Sequence, residues 1–91
     1  MCELYASANP ASYEVIRRSM RIQGAVTSLA LERQIWDLLQ EIATAEQLSV
    51  AEFVSTLYQE VLERQGEVKN LASLLRITCL TYLADHTRSR S

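Results

Sequence analysis

The stretch Met20-Arg21-Ile22-Gln23-Gly24-Ala25-Val26-Thr27-Ser28-Leu29-Ala30-Leu31-Glu32 is where the periodicity of the chain changes. Met20 to Gln23 alternates apolar and polar side chains, and Val26 to Leu31 is rich in strand-forming residues, with Gly24 between them. The segment from Arg17 to Leu31 therefore reads as a strand with a bulge or bend at the glycine, or as a loop followed by a shorter strand. From Glu32 onward the period becomes helical. Ile35, Trp36, Leu38, Leu39, Ile42 and Ala43 recur on one side, which predicts an amphipathic helix that fades at Thr44 to Gln47. Parity assigns the strand's faces: Thr27, Leu29 and Leu31 point toward the core, and Val26, Ser28 and Ala30 point out.

Further along, Ser49 followed by Glu52 has the spacing of a capping box, so a second helix starts there. Its apolar stripe includes Val50, Phe53, Val54, Leu57, Tyr58 and Val61, and Gly66 suits its C-terminal end. Asn70 can cap a third helix, apolar almost all round between Leu71 and Leu83. Such a helix is expected to be buried or to belong to an interface, including one with a protein partner through residues 71–83. Upstream, Asn9-Pro10 is a turn signal. The expected organisation is an N-terminal arm (1–16), a domain (17–84) and a flexible polar tail (85–91), mainly α in class.

Ninety-one residues fit one domain with a modest core of its own. A single strand leaves backbone donors and acceptors unpaired, so its partner is expected to be the same strand of a second copy. Two-fold symmetry makes that pairing antiparallel. No run of apolar residues has the length of a membrane span, and the N-terminus lacks the order of a secretory signal, so the expected location is the cytoplasm. Cys2 and Cys79 lie too far apart for a metal-binding pair and read as reduced thiols, Cys79 as a small core residue.

The net charge of −2 is unevenly spread: +1 over residues 1–31, −6 over 32–67 and +3 over 68–91. A basic strip on an acidic body is one reading, and an ordinary solvated surface is the other. The densest positive cluster is Arg17, Arg18 and Arg21. The only histidine, His86, falls in the polar tail, and no Gly-rich loop or paired metal ligands occur. An enzyme is not expected, nor is a cofactor or metal.

The order of strand, helix, short turn at Ser49-Val50 and second amphipathic helix resembles the ribbon-helix-helix family of Arc- and MetJ-type DNA-binding proteins, over about residues 26–64. Over 1–83 the chain is similar to a bacterial subgroup carrying an N-terminal arm and a third helix. The matching features are Met1-Cys2, a Pro-containing arm, Arg18-Ser19 with Arg21, Gly24, Thr27-Ser28, Trp36 and Gly66-Glu67-Val68.

The resemblance implies a homodimer, or a higher-order assembly of dimers on DNA, that lays a two-stranded β-ribbon in the major groove of double-stranded DNA. Transcriptional regulation is the function it implies. The alternative use of the same fold is an antitoxin-like or adaptor dimer. Ser28 and Ala30 then occupy the base-reading positions, where Ala30 departs from the arginine or polar residue often found. Arg21 and Gln23 are chemically better suited to read guanine and adenine. Arg17, Arg18 and Arg21 could equally touch phosphates or pair with the acidic helices. Ser49 and Val50 would offer helix N-terminal amides to a phosphate, though capping alone explains Ser49. Thr27, Leu29, Leu31, Trp36, Phe53 and Leu57 are the expected dimer interface.

Overall fold

Gln23 and Gly24 both adopt positive φ, 53° and 83°. That is the conformation of a type I′ turn, which reverses a chain within two residues and matches the twist of the flanking strands. In the computed structural model, which describes residues 10–90, this turn joins β1 (Val15–Ile22) to β2 (Ala25–Glu32) in an antiparallel hairpin. The strand thus finds its partner within its own chain, and the expectation that only a second copy could pair with it is corrected. What reads as a bend at Gly24 is the hairpin turn. Ile22 pairs with Ala25 and Val15 with Glu32.

Downstream of the hairpin run α1 (Arg33–Ala45), α2 (Val50–Gln65) and α3 (Leu71–Arg90), while a short 3-10 turn, Pro10–Tyr13, precedes β1. The ribbon followed by two helices, with one extra C-terminal helix, is the expected architecture. The third helix continues through Arg90, so no break marks the tail expected after residue 84. Residues 1–9 of the expected arm, with Cys2, lie outside the described residues.

The helix ends explain the connections. At the end of α1, Leu48 N–H donates to Ala43 O (2.8 Å) and Gln47 N–H to Thr44 O (3.0 Å), with Gln47 at φ 61°. This Schellman closure stops the helix without a glycine. The Ser49 hydroxyl accepts from Glu52 N–H (3.1 Å), and Glu52 Oε1 accepts from Ser49 N–H (2.8 Å), completing the capping box. These bonds hold the Glu52 carboxyl below its ordinary pKa. Ser49→Ala is expected to cost about 1 kcal/mol, read as a lower urea midpoint at unchanged slope. An unmoved midpoint would mean the box does not stabilise α2. Gly66, at φ 82°, closes α2, and Asn70 Oδ1 caps α3 by accepting from Ser73 N–H at 3.1 Å.

Ile22, Leu29, Leu31, Trp36, Leu39, Ile42, Val54, Leu75 and Cys79 form one buried cluster drawn from the inner face of the hairpin and all three helices. Trp36 is its largest member; its Nε1–H donates to Ile16 O at 2.9 Å, so the indole meets its polar requirement inside the core. Arg76 fixes α3 to the end of β2 by a two-point contact with Glu32, at 3.0 and 3.3 Å. The Arg76 guanidinium holds the Glu32 carboxyl below the usual range. The tie is therefore intact at neutral pH and is lost as pH falls through that lowered value.

Candidate nucleic-acid interface

Alternation along a hairpin gives it two faces, and the helices cover one of them. Ile16, Met20 and Ile22 of β1 and Thr27, Leu29 and Leu31 of β2 face the helices; of these, Ile22, Leu29 and Leu31 are buried and the others half-buried. The opposite face carries Val15, Arg17, Ser19 and Arg21 beside Ala30, Ser28 and Val26, while Glu32, at the end of β2, is turned to Arg76 on α3. The register gives Val26, Ser28 and Ala30 the outward parity expected; Val26 and Ser28 are exposed and Ala30 is half-buried.

The three arginines separate. Arg17 and Arg21 are exposed on the outer face. Arg17 Nη1 reaches across the hairpin toward Ser28 Oγ at 3.4 Å, and Arg21 Nη1 donates to Gly24 O in the turn at 3.1 Å. Arg18 is exposed as well, but its parity is that of the inner face, and its guanidinium carbon lies 4.9 Å from the centroid of the Trp36 ring. Gln23 turns back onto α2: its Nε2 donates to Ser55 O (3.1 Å) and Ser55 Oγ (3.3 Å). Arg17, Arg21, Ser28 and Ala30 are therefore brought together on one surface, while Arg18 and Gln23 are engaged elsewhere.

Ser49 and Val50 stand at the start of α2. The capping box already uses the Ser49 and Glu52 amides and adds a carboxylate there, leaving the Val50 and Ala51 amides as the donors without an intrahelical partner. Among the residues expected at a dimer interface, Leu29, Leu31 and Trp36 are covered by the chain's own core, only 6%, 0% and 2% exposed. Thr27, Phe53 and Leu57 are half-buried.

Ser19 is the outer-face residue that sequence reading overlooked. Its signal was the alternation of Ile16, Met20 and Ile22, interrupted by Arg18 on the apolar face. Burial pushes the Cys79 thiol up to about 11, which leaves it a poor nucleophile at neutral pH. Among the described residues no group of three or more His, Cys, Asp or Glu side chains could hold a metal ion. No helix among them is long and apolar enough to cross a membrane.

A family model of the ribbon-helix-helix domain matches residues 15–83, which begins with β1 and takes in most of α3. The chain belongs to the ribbon-helix-helix family. Membership assigns it a DNA-binding role in general terms. Among solved structures, it is similar to an uncharacterized protein from Bordetella pertussis Tohama I, at 40% identity and a TM-score of 0.93. That similarity covers 100% of this chain and 73% of the other. No curated protein matches.

Proposed function

We propose that this ribbon-helix-helix protein is a homodimeric, cytoplasmic bacterial transcription regulator that lays its β1–β2 hairpin in the DNA major groove. The observation that carries the reading is the uncovered hairpin face, where Arg17 and Arg21 stand with Ser19, Ser28 and Ala30 and no bulky residue intervenes between them. A two-stranded ribbon is what the major groove accommodates, and here one chain supplies both strands. A four-stranded sheet made by joining two β2 edges would span roughly 14 Å between outer backbones, against a groove of about 12 Å. The second copy is therefore assigned to the helices, where Phe53 and Leu57 are half-buried, rather than to the β2 edge.

The test uses the full chain on duplex DNA across a salt series. Binding at low salt that weakens linearly with the logarithm of salt concentration is expected. Arg17→Ala combined with Arg21→Ala should remove most of the affinity. Arg18→Ala, on the opposite face, should leave it, while costing about 0.5–1 kcal/mol of stability from the lost contact with Trp36. Absence of binding to any duplex at low salt would overturn the proposal. An antitoxin-like or adaptor role would then take its place, favoured by the exposed Ile77, Leu80 and Leu83 on α3.

A further inference from the structure

We propose that Arg17, a β1 residue, is a base-reading side chain that takes over the place left by Ala30 on β2; this rests on the DNA-binding reading above. The resemblance to the family leads one to expect an arginine or polar side chain at position 30, and an alanine there offers only a methyl group. The hairpin register places Arg17 directly opposite Ala30, with both on the outer face. Residues so paired have Cβ atoms about 4.5–5.5 Å apart, and a long side chain reaches the diagonal neighbour as well. The Arg17 side chain takes that diagonal, with Nη1 3.4 Å from Ser28 Oγ. Its guanidinium thus leans over β2 beside the small Ala30 side chain, in the region an arginine from position 30 would occupy.

Three features fit this exchange. Ala30 leaves room for the crossing arginine, whereas a second arginine there would set two like charges directly opposite each other. Ser19 pairs with Ser28 beside it, so the outer-face side chains on the turn side of the Arg17–Ala30 pair are small and let the ribbon approach the base edges closely. The Ser28 contact, at 3.4 Å, engages at most one of the five guanidinium N–H donors and directs the fork across β2. Enough donors remain for a bidentate contact to the O6 and N7 of a guanine. Ser28 is in this reading a positioning residue for Arg17. Arg21 likewise makes one contact, to Gly24 O, but it stands at the turn opposite Val26 rather than opposite Ala30.

The test begins with selection of bound duplexes from a randomised pool by the full chain. The selected duplex and a scrambled version are then titrated over several salt concentrations. Arg17→Lys keeps the charge but loses the planar fork. It is expected to keep the salt slope within about one phosphate's worth, ~0.9 in log K per log salt. Its preference for the selected duplex should fall roughly tenfold to a hundredfold, the discrimination of one bidentate pair. Ala30→Arg in an Arg17→Ala background is expected to recover preference, because the guanidinium returns to the same region from the other strand. The variants changed only at Arg17 should retain the parent's circular dichroism and melting, since Arg17 is exposed. An Arg17→Lys chain with undiminished preference, or a parent that binds duplex without selecting any consensus, overturns this assignment while the DNA-binding reading survives. A parent that binds no duplex overturns both.

Discussion

Truncation after Asn70 is expected to abolish cooperative folding. Read from sequence, α3 could have been a detachable apolar helix waiting for a partner. In the structure one side of it completes the core: Leu75 and Cys79 are fully buried, and Leu71 and Tyr82 pack against the same cluster. Removing them exposes their partners on α1 and breaks the Arg76–Glu32 tie. Each large buried side chain contributes about 1.5–3 kcal/mol, and a chain of this length has a total stability of roughly 5–14 kcal/mol. The loss of several such residues at once is comparable with the whole. The truncated chain should therefore be insoluble, or retain helical circular dichroism without a sharp urea transition. If it stayed soluble and melted cooperatively at the parent's temperature, α3 would be an appendage and the core would belong to the hairpin, α1 and α2 alone.

The parts of the fold legible in the sequence are those governed by local chemistry. The Ser49–Glu52 box, the Gly66 stop and the Asn70 cap each depend on a few neighbouring residues, and each is present where its residues place it. The outward parity of Val26, Ser28 and Ala30 followed from period-two alternation. The first strand was obscured for two physical reasons. Arg18 stands among Ile16, Met20 and Ile22 on the covered face and interrupts their alternation, because its guanidinium packs on the Trp36 ring, a partner 18 positions away. The turn is Gln23-Gly24 rather than the Asn-Gly or Asp-Gly that signals a type I′ hairpin. Gln23 is held there by bonds to Ser55, another distant residue. Both features come from tertiary contacts that no local pattern contains. The consequence for the site is direct, since Ser19 and the crossing of Arg17 become visible only once β1 is paired with β2.

Leu29→Pro and Ala30→Pro, one residue apart, are expected to behave in opposite ways. Across a two-residue turn, the flanking Ile22–Ala25 pair exchanges hydrogen bonds, and alternate pairs along the hairpin do the same. Arg18–Leu29 is in that series, and the bond from Arg33 N–H to Glu14 O at 2.8 Å continues it beyond the strands. Leu29 therefore turns its N–H inward to β1, while Ala30 turns its own to the free edge of β2. Proline at Leu29 removes a ladder donor and also a side chain only 6% exposed, so a loss of about 3 kcal/mol or more is expected from the backbone alone. Adding the buried leucine brings that close to the stability of the whole chain, and the variant should fail to fold. Proline at Ala30 removes a donor that β1 does not use, in the edge position where strands tolerate it. That variant should keep the hairpin, melt within about 1–2 kcal/mol of the parent, and remain dimeric by light scattering if the copies meet through their helices. A folded but monomeric Ala30→Pro chain would move the dimer contact to the β2 edge, and with it the claim that one chain's hairpin fills the groove alone. A well-folded Leu29→Pro chain would contradict the hairpin itself.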